Sequence, residues 1–328
     1  MARAMRLAED VLFPAALQTD RSELVAAGLL DQLAAAGLYG LAGPPEAGGL
    51  GADPETFTTV AEVLASGCLT TTFVFMQHHG AVRTVAAFSP PALRREWLQP
   101  LCRGERRSGV AFAGLRRPGP PLLVARRTRS GWVLDGTAPW VTGWGRIDVV
   151  HVAARDDRGQ VVWALVDAAA GPSLEVEPLP LAAVAASGTV TVRFAGHAVP
   201  DERVTLVEPF ETWRARDAGG LRANGSLALG VARRCCALLG RSRYDAELRA
   251  CREALDRAGV EDLPAARARA ARLALRAATL LVVTSGGRAV LTSHHAQRLA
   301  REAVFLQVFG QTAAIRAEQV ALEERTEP

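Results

Sequence analysis

The chain has 328 residues, enough for two or three cores, because single cores rarely grow beyond roughly 250 to 300 residues. With 49% hydrophobic and 22% charged residues, its composition is that of a globular protein and excludes a disordered one. The formal charge is only +4; basic residues, nearly all arginine, are mixed with acidic ones, and without a basic block, a zinc-ligand spacing or an aromatic-interleaved basic stripe no nucleic-acid partner is expected.

The five cysteines, an odd number, lack C-x-x-C spacing, which argues against a fully paired secreted scaffold and for a reduced, cytoplasmic setting. Charged residues interrupt the first apolar stretch, so no signal-peptide pattern opens the chain. The longest apolar run, LALRAATLLVV, contains Arg276 and is too short for a membrane span, so no membrane insertion is expected.

In chain order, SELVAAGLLDQLAAAGLYGL predicts a serine-started helix ending near glycines, followed by the helix-opposing turn AGPPEAGGLGAD. Helix resumes in PETFTTVAEVLASG and from Cys68 to Val85, and PPALRREWLQPLCRG predicts a short helix with proline at its start and glycine at its end. From about Ser108 the texture changes to SGVAFAG, LLVARRT, GWVLDGTAPWV, DVVHVAARD, QVVWALVD and TVTVRFAG, six strand-like segments whose edges a barrel or compact sandwich would satisfy. Within them the Asp135-Gly136 pair predicts a tight turn. No helices of crossover length alternate with these strands, which excludes a Rossmann domain.

Helix returns from about Glu211. NGSLALGVARRCCALLGRSRYDAELRACREALDRAG is expected to start at Asn224 or Ser226, LPAARARAARLALRAATLLVV behind its proline, and SHHAQRLAREAVFLQVFG at Ser293, with a frayed tail EQVALEERTEP. The expected architecture is α+β and multidomain: an N-terminal helical domain over residues 1–105, a central β-barrel-like domain over 106–212, and a shortened C-terminal helical domain of three or four helices over 213–328.

This order, together with several local strings, resembles the acyl-CoA dehydrogenase superfamily over most of the chain. LAGPPEAGGLG, Leu41 to Gly51, is similar to the turn that ends the family's N-terminal helical pair. GWVLDGTAPWVTGWG, Gly131 to Gly145, resembles the segment packed on the flavin. Gly230 resembles a glycine of the first C-terminal helix, and QRLARE, Gln297 to Glu302, the arginine-rich start of the last core helix. Gly286-Gly287 resembles the pair where a neighbouring subunit meets the dinucleotide, while Arg241 or Arg243 with Tyr244 echoes a flavin-contact string.

The resemblance implies an acyl-CoA-dehydrogenase-like fold with FAD between the barrel and the C-terminal helices. The implied cofactor-binding residues are Trp140, Val141, Thr142, Arg241, Gly286 and Gly287. Trp140 would border the isoalloxazine ring, and the backbone and hydroxyl of Thr142 would approach its redox edge. The same letters also read as a tryptophan packed between strands and a turn threonine. Implied partners are a second copy or a homologous subunit, acyl-CoA or a related small molecule, and an electron acceptor of unspecified kind.

Two departures stand out. Where the family has a threonine-glutamate-proline turn, this chain has AFAGLRRPGPP, with Ala113 and Gly114 in place of polar contacts and Arg116 and Arg117 in place of acidic character. Those arginines suit a phosphate of FAD or CoA, or an exposed turn. The family's catalytic glutamate falls, by the same resemblance, at Gly310 in the Phe309–Thr312 stretch, and glycine cannot remove a proton. Glu247 and Glu253 are substitute candidates, each also readable as a solvent-facing partner of an arginine, so no catalytic residue is assigned.

His78-His79 and His294-His295 do not make metal pairs, since adjacent helical side chains diverge. Phe73, Phe75 and Met76 either enclose an acyl chain or belong to a helix core. The implied function is flavin-dependent oxidation of an acyl thioester or related carbonyl metabolite. A noncatalytic supporting subunit of a heteromeric acyl-CoA dehydrogenase and a flavin-dependent monooxygenase are the alternatives.

Overall fold

The computed structural model describes residues 1–240 and 244–324. Helices occupy the first third. α1 (Ala2–Arg6) runs through a π-helical segment, Leu7–Leu12, into α2 (Phe13–Asp20), and α3 (Ala27–Ala35) follows. α4 (Pro54–Gly67) starts where the Asp53 carboxylate accepts the Thr56 N–H at 2.7 Å, with proline in its first turn. α5 (Leu69–Phe88) is buried along most of its length, and α6 (Pro91–Arg103) stops at the left-handed Gly104. The Leu41–Gly51 string folds into a turn around a short 3-10 helix, Pro45–Ala47.

Two adjacent histidines of α5 are buried and differ in role. His78 Nε2 lies 3.0 Å from the Leu101 carbonyl at the end of α6, and His78 Nδ1 accepts the Ser108 N–H at 3.1 Å. That fixes a neutral ring with its proton on Nε2, tying α5 and α6 to the first strand. His79 packs edge-on to Phe57 and Phe75, and neither of its nitrogens has a partner among the described residues.

The central region is one eight-stranded sheet: β1 (Ser108–Ala111), β2 (Leu123–Arg127), β3 (Gly131–Val141), β4 (Val149–Arg155), β5 (Gln160–Asp167), β6 (Leu174–Pro178), β7 (Val190–Pro200) and β8 (Val204–Pro209). Their order is β6-β7-β3-β2-β4-β5-β8, with β1 added beside β4. β1 and β2 both run parallel to β4, so the sheet is mixed, and β6 and β8 end its path without pairing with each other. β6 and β8 escaped the sequence reading because each is a short, half-exposed edge strand ending in proline. Gly136 corrects another expectation. It lies inside β3, at a register shift, with φ 119°, and a Cβ there would run into the Leu122 carbonyl; it makes a bulge and not a turn.

Among the described residues six helices follow: α7 (Phe210–Gly219), α8 (Leu221–Leu239), α9 (Tyr244–Arg257), α10 (Leu263–Ser285), α11 (His295–Val308) and α12 (Ala313–Glu324). The C-terminal part therefore holds more helices than the three or four expected. The first long segment is two helices, with Asn224 and Ser226 inside α8 and not at its start. α11 is capped by His294, whose side chain accepts the Ala296 N–H, and not by Ser293. The tail expected to fray is helical to Glu324; its remaining residues, 325–328, and Arg241 and Arg243 lie outside the described residues.

α8 is the hub between the two ends of the chain. At Gly230 a Cβ would lie 2.5 Å from the Glu62 carbonyl and 2.6 Å from the Ala65 Cβ, so α4 and α8 touch through a residue that cannot be larger. Beside that contact Arg234 donates to the Ser66 carbonyl at 2.6 Å, and Arg252 clamps Glu62 with bonds of 2.9 and 2.6 Å.

Candidate functional site

β3 delivers the segment on which the sequence reading concentrated. Val141 is fully buried and pairs with Val190 of β7. Trp140, the residue before it, stands at φ 63° with 58% of its surface exposed. A left-handed backbone at a bulky residue costs of order 1–3 kcal/mol and persists only where neighbours impose it. Here the register shift between Ala138 and Val141 imposes it, turning the indole out of the strand at the sheet's end.

Thr142 behaves differently. Its hydroxyl is buried and lies 3.1 Å from the Thr189 hydroxyl, which in turn lies 2.7 Å from the Ser187 hydroxyl. That chain fixes the end of β3 against the start of β7, and it occupies the group that the resemblance aimed at a cofactor. An exposed, flat indole fits a planar ring system; the enclosed Thr142 side chain fits a supporting role. Gly286 and Gly287 sit in the exposed turn between α10 and α11, and a Cβ built on either would meet no atom within 4 Å. Arg241 lies outside the described residues.

Next to β3, a 3-10 turn at Ala113–Arg116 packs over Thr137 and Ala138. Arg116 leaves this turn towards α7, where its Nε and Nη2 bind the two carboxylate oxygens of Asp217, each at 2.7 Å. Its plane lies over the Phe112 ring at 4.9 Å. Arg117, its sequence neighbour, makes no such contact among the described residues.

The turn after α11 meets the same region. Phe309 packs edge-on to Phe73 of α5 at 5.0 Å, and Phe305 does so at 5.2 Å, so Phe73 joins the N-terminal helices to this turn. Phe75 instead belongs to the N-terminal core with Tyr39. Gly310 follows at φ 60°; a Cβ there would be 2.9 Å from Asn224 Nδ2 and 3.6 Å from Arg116 Nη1. Beneath the turn, the buried Arg267 of α10 donates to the Phe309 carbonyl at 3.0 Å, while its Nε has no partner among the described residues. Burial, and secondarily the charge of Arg116, pull the Arg267 pKa down to about 10.

Neither substitute glutamate is here. Glu247 pairs with Arg276 at 3.0 Å, and Glu253 pairs with Arg257 at 3.3 Å on an exposed helix face. The carboxylate linked to the Gly310 turn through Arg116 is Asp217, with both oxygens engaged. Asp217, Asn224 and Arg267 were missed as site residues. Only Arg267 carried a signal, as one of three closely spaced arginines inside an alanine-rich helix.

Residues 1–105 match the family described as acyl-CoA dehydrogenase, N-terminal domain. The human mitochondrial short-chain specific acyl-CoA dehydrogenase is 27% identical over 158 residues, which is 46% of this chain and 38% of that protein. The matched stretch thus spans well under half of that relative's length. Among solved structures, butyryl-CoA dehydrogenase from Megasphaera elsdenii superposes with a TM-score of 0.83 at 18% identity, covering 98% of this chain and 97% of the other. A structure of PigA with FAD and proline gives 0.83 at 19% identity over 98% of this chain and 95% of the other. Residues 1–105 thus match the acyl-CoA dehydrogenase N-terminal domain, and along nearly its whole length the chain shares the fold of the solved butyryl-CoA dehydrogenase.

Proposed function

We propose that the chain is a flavin-dependent oxidoreductase acting on an acyl thioester or related carbonyl compound, with FAD lying against Trp140. The observation that carries this reading is the Trp140 backbone, held left-handed so that an indole faces outward at the end of β3. Strain of this kind collects where a side chain must be aimed at a ligand. FAD bound there would supply the hydride acceptor. Trp140 would cover one face of the ring, and Val141, with the Thr142–Thr189–Ser187 hydroxyls, holds the Trp140 backbone in register. Phe73, Phe305 and Phe309 line the adjoining helix junction and keep water from it. The names of the relatives, a short-chain acyl-CoA dehydrogenase and a butyryl-CoA dehydrogenase, support a thioester substrate.

Two observations favour a second reading, a subunit that supports a homologous partner. The Gly310 turn offers no base, and Glu247, Glu253 and Asp217 are all held by arginines. Val304 and Val308, one turn apart on α11, are 58% and 62% exposed, which suits contact with another subunit. The test is the visible spectrum and released-cofactor analysis of freshly purified protein, followed by anaerobic addition of butyryl-CoA. Stoichiometric FAD that bleaches on addition supports the enzyme. Flavin found only after co-expression with a homologue favours the supporting subunit, and no flavin under either condition overturns both readings.

A further inference from the structure

Among the described residues, two that are not glycine have left-handed backbones: Trp140 at φ 63° and Val184 at φ 51°. At a β-branched residue such a backbone is an outlier that persists only where its surroundings impose it. Val184 lies in the loop of residues 179–189, which joins β6 to β7, the strand paired with the Trp140 segment. We propose, resting on the reading that sets FAD against Trp140, that Val184 is a positioning residue. Its side chain wedges this loop into the helical core, and the loop holds the strand register that turns the Trp140 indole outward.

The register needs holding. Ala138 pairs with Val192 and Val141 with Val190, so Pro139 and Trp140 together stand opposite the single residue Thr191. Such a bulge is lost if the start of β7 slides by one residue, and a slide of one residue carries side chains to the other face. The start of β7 is fastened to the residues that follow Trp140. The Gly143 N–H donates to the Ser187 carbonyl and the Trp144 N–H to the Gly188 carbonyl, each at 2.9 Å. The hydroxyls of Thr142, Thr189 and Ser187 form a continuous chain beside these bonds. Ser187 is tied in turn to Val184, whose carbonyl accepts its N–H at 2.9 Å.

On its other side Val184 reaches the helices. It is 1% exposed and belongs to the core that α8, α10 and α11 build with Leu69 and Phe73 of α5. Nearby in the loop, the Ala182 carbonyl accepts from Arg301 of α11 at 3.0 Å, and the Ala186 carbonyl accepts the Val25 N–H at 2.8 Å. With its side chain buried among the helices and its carbonyl closing the turn on Ser187, Val184 joins the helical core to the hydroxyl chain. The orientation of Trp140 is therefore set from the helices, through a loop that does not itself face the indole's exposed side.

The experiment follows Trp140 by fluorine NMR in full-length protein labelled with 5-fluorotryptophan, its signal identified with Trp140→Phe. Val184→Ala removes the wedge, and Ser187→Ala cuts the link while leaving Val184 in the core. Each is expected to shift the Trp140 signal or split it in two. Leu248→Ala, which opens the same helical core from α9, should lower the thermal midpoint and leave the Trp140 signal where it was. In FAD titrations, apparent affinity should fall with the fraction of the parent signal that is lost, about twofold where half is lost. A Trp140 signal unmoved by Val184→Ala and Ser187→Ala overturns the proposal. So does one moved equally by Leu248→Ala, since loss of core packing is then the whole cause. If Val184→Ala does not fold, Ser187→Ala decides alone. The two readings fail separately: variants that move a Trp140 signal indifferent to added FAD sink the flavin reading alone, and FAD that moves a signal neither variant moves sinks this one alone.

Discussion

Replacing His79 by leucine should change the way the protein responds to acid more than it changes the protein at neutral pH. Both ring nitrogens of His79 are buried without partners among the described residues, and burial first, then the neighbouring His78 and Arg83, hold its pKa well below the ordinary 6.5. Such a group is neutral in the folded state and takes up a proton on unfolding. The unfolded state therefore binds more protons below pH 6.5, and the stability present above that value is lost as pH falls. The loss proceeds at about 1.4 kcal/mol per pH unit until the depressed folded pKa is reached. His79→Leu removes one such proton and two unsatisfied nitrogens while keeping an apolar side chain between Phe57 and Phe75. Urea unfolding at a series of pH values from about 7.5 to about 4.5 should show the variant at least as stable as the parent at the top, with a slope shallower by about 1.4 kcal/mol per unit below 6.5. Parallel slopes for the two proteins would refute the reasoning, because His79 would then titrate alike folded and unfolded.

His151 is pushed down to about 3 by burial and by Arg216, so His151→Gln should flatten the same acid limb in the same direction, read by the same titration. In α11 the buried Arg298–Glu302 pair, 2.6 Å apart, leaves Glu302 Oε2 unpartnered. Glu302→Leu alone should cost about 3–5 kcal/mol in urea unfolding by stranding Arg298, while Arg298→Met with Glu302→Leu should recover most of it. Gly230→Ala should lower thermal stability by several degrees, because its Cβ has no room against the Glu62 carbonyl. Gly310→Glu should not restore a proton-abstracting base; the left-handed backbone and the 2.9 Å approach to Asn224 make it destabilising by about 1–3 kcal/mol, measurable by thermal unfolding, with no gain in substrate-driven flavin reduction.

Elements whose signal is local were legible in the sequence. The prolines and glycines that bound α4 and α6 act on their own turns, and the alternation of DVVHVAAR and QVVWALVD is enough to draw β4 and β5. The β6 and β8 edges were hidden because short strands that pair on one side carry little pattern. Gly136 was read as a turn because Asp-Gly favours one; the bulge instead follows from where the Leu122 carbonyl lies across the strand pair. The site divides along the same line. Trp140 announces itself in a local string, but the convergence of Arg116, Asn224 and Gly310 joins three elements far apart in the chain. Asn224 even carried a misleading cue, since its residue type suggests a helix cap and it lies within α8.

The contact between α4 and α8 has a consequence for how the protein is made. The bond from Arg234 to the Ser66 carbonyl spans 168 residues of sequence, and the chain emerges at roughly 5–20 residues per second. For on the order of ten seconds or more, the apolar face of α4 exists before the helix that covers it has been synthesised. The first third of the molecule must wait, partly folded, for a hub encoded in the C-terminal part of the chain. A nascent chain in that interval displays sticky helical surface, which makes holding by a chaperone, and the pace of translation through the strands, determinants of yield that the finished protein no longer reveals.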